Sequence, residues 1–181
     1  MRELTEIIGR DGERLARLAH GHDARRVEPQ RVTKSVSAET TFNADISTPA
    51  ELEPVLWRLC EKVSKRLKAA SLAGRSVTLK LKDRTFQTVT RTRSGLPATQ
   101  LARRLNEPSR TLLRATSDGS AYRLIGVAAG ELCEKNEADR GDLADSGVRE
   151  EAKMEAAIDR LRDRYGPGAV QTGLAFPFRQ R

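Results

Sequence analysis

Along residues 76–82, SVTLKLK, apolar and polar side chains alternate without a break. Val77, Leu79 and Leu81 fall on one side and Thr78, Lys80 and Lys82 on the other, the period-two pattern of a half-buried strand. A tight connection at Asp83-Arg84 leads into TFQTVTRTR, which predicts the next strand. Upstream, TKSVSAETTF at 33–42 is rich in β-branched and hydroxyl residues and predicts a first strand. The pattern between these runs has the period of a helix. Thr48 suits the N-cap, Pro49 the first helical position, and Glu51 completes a capping box. Leu52, Val55, Leu56, Leu59, Val63 and Leu67 then mark one apolar face, before Gly74. Residues 98–115 repeat the helical pattern through Leu101, Leu105, Leu112 and Leu113, with Pro108 expected to kink or divide the helix. After Gly119, AYRLIGVAA at 121–129 predicts a fourth, more apolar strand.

The predicted order is β-α-β-β-α-β, which with both helices on one face gives a ferredoxin-like α+β sandwich over residues 34–133. Leu52, Val55, Leu59, Val63, Val77, Leu79 and Leu81 are its expected core. The open sheet face should carry Lys80 and Lys82, with the arginines of the third strand expected beside them. Ahead of the sandwich, residues 1–26 predict short helices interrupted by Gly9 and Gly12, and 27–33 an extended linker at Pro29. Residues 134–149 are polar, acidic and poor in large apolar side chains, and predict a flexible linker. Residues 150–181 predict a last helix, striped by Met154, Ile158, Leu161 and Tyr165, and a tail that starts at Gly166-Pro167.

Charge adds a partner class. The net charge is +8. Residues 134–165 hold ten acids against seven bases, which leaves +11 on the remainder. Six basic residues and one acid fall between Arg75 and Ser94. A basic body fits a polyanion partner, and equally a basic protein without one. No apolar run reaches the ~18 residues of a membrane span, and the N-terminus has no signal-like apolar core. Cys60 and Cys133 are isolated and read as reduced thiols of a cytoplasmic protein, Cys60 within a helix. His20 and His22, in HGHD, read as a solvated turn, and no metal site is expected.

The stretch TVTRTRSG, 88–95, sets threonines between arginines. Alternate residues of a strand share a face, so Arg91 and Arg93 project together ~7 Å apart, near the spacing of successive phosphates. Guanidinium forks bind phosphate oxygens, and threonine hydroxyls add contacts. The other reading is a solvated edge strand kept from aggregation by its charge. Aromatic content of 4% argues against a base-stacking sheet platform.

Several motifs in order resemble the C-terminal part of the Y-family translesion DNA polymerases. GRDGERLARLAHGHDARRVEP is similar to the end of the thumb, and KSVSAETTF to the entry into the little-finger domain. TVTRTRSG resembles the arginine-bearing strand that grips template phosphates. PATQLARRL and AYRLIGVAAGEL resemble the second helix and the last strand. The resemblance implies sequence-independent binding of double-stranded primer-template DNA, in DNA repair by translesion synthesis. Lys34, Ser35 and Ser37 come from the KSVS match, Thr90, Arg91, Thr92 and Arg93 from the arginine strand. Lys80 and Lys82 rest on strand alternation alone.

The family's palm and fingers, with their magnesium ions, would lie before Met1. This chain is therefore expected to have no catalytic residues and no cofactor of its own, and to be a monomer. The tail QTGLAF resembles the short glutamine-led motif that docks polymerases onto the sliding clamp. Gln171 would supply the amide, and Leu174 and Phe176 would fill an apolar cleft. Alternatively Leu174 and Phe176 pack on the Ile158–Leu161 stripe. A rival to the whole reading is a standalone RNA-binding or regulatory protein on the same sandwich. A small nucleotide-handling enzyme is disfavoured, because the chain has neither a phosphate-cradling glycine loop nor a nucleophile with its base.

Overall fold

The computed structural model describes residues 6–28, 32–140 and 147–175. The chain divides into two compact units, Met1–Val32 and Thr33–Arg181. In the first, helix α1 (Arg10–Ala19) buries Ala16, while Ile7, Ile8 and Leu15 stay exposed. His20 closes the helix, its Nδ1 2.8 Å from the Ala16 carbonyl oxygen. Just beyond, Arg25 forks onto Asp23 and holds that carboxyl down to about 2.

The second unit is built on a four-stranded antiparallel sheet. Strands β1 (Val36–Ile46), β3 (Ser76–Asp83), β4 (Thr88–Arg93) and β5 (Tyr122–Gly130) lie in the order β1-β5-β3-β4. Helix α2 (Pro49–Ala70) connects β1 to β3, and helix α3 (Ala102–Thr116) connects β4 to β5. Each connection steps over one strand, so two split β-α-β units interleave. A small pair, β2 (Leu72–Ala73) and β6 (Cys133–Glu134), sits beside the main sheet. The expected β-α-β-β-α-β sandwich is the architecture found.

The α2 start follows the cap expected for it. The Thr48 hydroxyl accepts from the Glu51 amide at 3.4 Å and donates to the Glu51 carboxylate at 2.6 Å. Leu52, Leu56, Leu59, Val63 and Leu67 then bury fully against Val77, Leu79 and Leu81 of β3 and Ile125, Val127 and Ala129 of β5. Burying each such leucine is worth roughly 1.5–3 kcal/mol. Val55 sits at the rim of this cluster. Cys60 lies inside it, and burial pushes its thiol up to about 12.

Two expectations about local structure change. Pro108 does not divide its helix, since α3 runs unbroken from Ala102 to Thr116. Proline removes one backbone donor, but buried Leu105 and Leu113 anchor the helix on both sides of it, and the Ser109 hydroxyl donates back to the Leu105 carbonyl at 2.7 Å. The second change concerns 134–149, which is not one loose linker. Glu134 pairs in β6, and residues Lys135–Glu137 form a 3-10 turn. Asp139 accepts from the Thr99 hydroxyl at 2.5 Å and the Gln100 amide at 3.0 Å. Burial raises the Asp139 pKa, against the pull of these donors. Residues 141–146 lie outside the described residues.

Helix α4 (Val148–Tyr165) docks through charge rather than through its apolar stripe. Met154, Leu161 and Tyr165 are exposed. Glu155 instead accepts from the Ser64 hydroxyl at 2.7 Å, from Lys68 at 2.6 Å and from the Ala102 amide at the start of α3. Lys68 also reaches Asp159 at 2.7 Å, and Arg162 reaches Glu61 at 2.8 Å. Burial works to lower the Lys68 pKa, but Glu155 and Asp159 outweigh it and raise it.

Candidate nucleic-acid interface

Pairing register decides which side chains share a face. Across β3 and β4, Val77 lies opposite Arg93, Leu79 opposite Arg91 and Leu81 opposite Val89. Thr78, Lys80 and Lys82 lie opposite Thr92, Thr90 and Thr88. Directly opposed residues of an antiparallel pair point to the same side. Arg91 and Arg93 therefore stand on the helix-bearing side, at the rim of edge strand β4, and not beside Lys80 and Lys82 as expected. The cause is parity: Val89 must turn toward the core, and the two arginines share its parity. Both are exposed and make no ion pair among the described residues, Arg91 donating only to the Thr90 carbonyl at 3.0 Å.

The open face consists of short rungs that run across the sheet. One is Ser37, Ala128, Thr78 and Thr92, and the next is Glu39, Gly126, Lys80 and Thr90. The third is Thr41, Leu124, Lys82 and Thr88. Four strands span ~14 Å from edge to edge. The central strand offers only Ala128 and Gly126 to the first two rungs, so little side-chain bulk stands between β1 and β3 there. A Cβ on Gly126 would meet the Glu39 Cβ at 3.0 Å. That gap lets Lys80 lie across β5 and bond Glu39 at 2.9 Å, which cancels its charge locally. The Thr78 and Thr92 hydroxyls are 2.9 Å apart.

The other sequence-derived candidates distribute as follows. Lys34 and Ser35 are exposed just ahead of β1, and Ser37 opens the first rung, so the KSVS residues occupy the sheet edge opposite Arg91 and Arg93. Arg66 of α2 donates to the Ser37 carbonyl oxygen and brings a further cation to that edge. Lys82 lies 5.9 Å from the ring of exposed Phe86 in the β3–β4 turn. Arg66, Thr78 and Thr88 complete the arrangement. Alternation about Leu79 and Val89 marked the two threonines in the sequence; nothing local marked Arg66.

The tail passes over α2. Ala175, in the turn Gly173–Ala175, is buried with Trp57 and Ala102. Gln171 is exposed and Leu174 is half exposed, beside a cleft of about 210 Å³ that Trp57 and Ile158 also line. The tail thus rests on Trp57 more than on the Ile158–Leu161 stripe. Phe176 lies outside the described residues. Among the described residues no group of three or more His, Cys, Asp or Glu side chains could hold a metal ion, and no helix is long and apolar enough to cross a membrane.

Residues 33–143 match the impB/mucB/samB family C-terminal domain, and the chain belongs to that family. Its relatives bear a more particular name. A DNA polymerase IV of Brucella melitensis is 47% identical over 96% of this chain and 39% of its own length. A DNA polymerase IV of Caulobacter vibrioides is 45% identical over 95% of this chain and 42% of its own. The chain thus spans about two fifths of the length of the curated relatives it matches. A solved Y-family DNA polymerase chimera of Dbh and Dpo4 covers 74% of this chain with a TM-score of 0.53 at 16% identity, over 38% of that chain, and shares the fold. The expected resemblance to the C-terminal part of a bacterial DNA polymerase IV holds.

Proposed function

We propose that this chain is a sequence-independent grip on primer-template DNA, the little-finger part of a translesion polymerase acting in the cytoplasm. One observation carries the reading. Two exposed arginines at period two, without an ion pair among the described residues, project from an edge strand that borders a hydroxyl-rich sheet face. Guanidinium groups at that spacing can take successive phosphates of one strand, and the threonines on the other side of the same edge strand can add neutral hydrogen bonds to the duplex that passes along it. Because Lys80 is held by Glu39, Lys82 is the cation that the rungs of the inner strands leave without an ion pair among the described residues, and further positive charge lies at the two edges. Backbone contacts of this kind are indifferent to base sequence, which suits a polymerase that must stay engaged at damaged templates. Polymerisation itself belongs to the remaining three fifths of the relatives' length.

The tail supplies a second contact in this proposal. Gln171 and Leu174 are accessible and can enter a cleft of the sliding clamp together with Phe176, which would raise the local concentration of the polymerase at the primer end. A competition assay tests the main reading. The chain should bind duplexes of scrambled sequence equally and prefer primed DNA to single-stranded RNA. Preference for the RNA would instead favour the RNA-binding alternative. A peptide of residues 168–181 should bind purified clamp, and Leu174→Ala with Phe176→Ala should abolish that binding. If neither peptide nor whole chain binds, the tail has no such role.

A further inference from the structure

The β3–β4 turn carries a feature that duplex binding does not use. Asp83 N–H donates to the Gln87 carbonyl at 3.0 Å, and Phe86 N–H donates to the Asp83 carbonyl at 3.1 Å. Arg84, Thr85 and Phe86 therefore form a three-residue hairpin loop, and its last residue has φ +66. Glycine normally takes that left-handed position, because a side chain there is strained. The loop is rigidly held. The Asp83 carboxylate accepts from the Thr85 amide and hydroxyl, both at 2.8 Å, and from the Gln87 amide at 2.9 Å. The Arg84 amide donates to the Ala121 carbonyl at 3.1 Å, which ties the loop to the neighbouring strand.

A bulky aromatic thus occupies a strained position without entering the core, since Phe86 is 63% exposed. Its neighbours are cations that lie over the ring, the Arg123 guanidinium 4.5 Å from its centroid and the Lys82 ammonium 5.9 Å. The nearby carboxylates, Asp83 and Asp118, are occupied by turn hydrogen bonds, Asp118 accepting from the Ser120 amide at 2.9 Å and the Tyr122 hydroxyl at 3.0 Å.

We infer that Phe86 is a stacking point for an unpaired nucleobase, with Arg123 and Lys82 placed to meet the flanking phosphates. The base stacks on the exposed part of the ring that these two cations leave open. An exposed ring fixed on a rigid turn loses little freedom on binding, and every base has a face to stack. Paired bases keep those faces inside the duplex, so the ligand is the single-stranded stretch next to the gripped duplex. The inference rests on the DNA-binding reading above and deepens it.

The test uses the full chain and two fluorescent probes, a blunt duplex and the same duplex with a 5′ overhang that carries 2-aminopurine. The wild type should bind the overhang probe about tenfold more tightly and change the 2-aminopurine emission on binding. Phe86→Ala and Phe86→Gly should lose both effects and keep the blunt-duplex affinity, while Phe86→Trp keeps both. Phe86→Gly should melt no lower than wild type, because glycine suits the turn. Equal wild-type affinity for the two probes, or a preference that survives Phe86→Gly, overturns the inference. Binding to the overhang through Phe86 with none to the blunt duplex refutes the duplex grip and leaves the stacking point standing.

Discussion

Replacing Arg91 and Arg93 together by alanine gives a number that the edge-strand geometry fixes in advance. Both side chains are exposed and free of ion pairs among the described residues, so the folded state loses nothing but its contacts to a polyanion. Each phosphate contact contributes about 0.9 to the slope of log affinity against log salt, so losing two lowers the slope by about 1.8. Raising salt fourfold, from about 50 to about 200 mM, should then weaken the wild type about twelvefold more than the double variant. Anisotropy titrations with a labelled primer-template across that range read the slope, and thermal melting should show no change. The reasoning also predicts a contrast. Alanine at Thr88, Thr90 and Thr92 should lower affinity on every duplex but leave the slope alone, because hydroxyls release no counterions. An unchanged slope in the arginine variant, or an equal loss of slope in the threonine variant, would refute the placing of the phosphate track along β4.

Three further outcomes follow from contacts described above. Glu39→Gln frees Lys80 and should steepen the salt slope by about 0.9 while tightening duplex binding; a weaker or unchanged slope would mean that Lys80 does not face the DNA. Glu155→Ala leaves Lys68 and the first turn of α3 without their shared acceptor, a loss of about 3 kcal/mol that should lower the melting temperature by roughly 6–12 °C, and a shift below ~2 °C would show that α4 is not held this way. Removing the residues after Val170 should uncover Trp57, the single tryptophan, and move its emission to the red; an unchanged spectrum would place the tail elsewhere.

The strands and both core helices were legible because each writes one period into the chain. SVTLKLK fixed its inner and outer faces by alternation, and Thr48-Pro49 with Glu51 marked the start of α2 as built. The face of Arg91 and Arg93 was less visible. Their mutual spacing is local, but which side they take depends on Val89 and on its pairing with Leu81, a contact set by the Asp83–Gln87 turn. The docking of α4 was hidden for another reason. Its apolar stripe said nothing of how it is held: carboxylates meet Lys68, Arg104 and the α3 amide, and charge pairs between distant segments leave no periodic trace. Asp139 looked like one more acid of a loose acidic stretch, yet it is a cap for the Thr99–Gln100 turn. Phe86 was a single aromatic beside a turn, and only its backbone angle and its two cationic neighbours distinguish it.

Val36 sits opposite Ala129, at the end of β1 where the chain enters the sheet and the end of β5 where it leaves. Entry and exit are therefore side by side, about 5 Å apart. Tension applied between those two points would peel β1 from β5 one rung at a time instead of shearing all rungs together, so the domain resists such a pull weakly along its own connections. The same closeness means that it can be lifted out of one chain and set into a loop of another without stretching the host, as a self-contained cassette whose outer edge strand projects away from the graft.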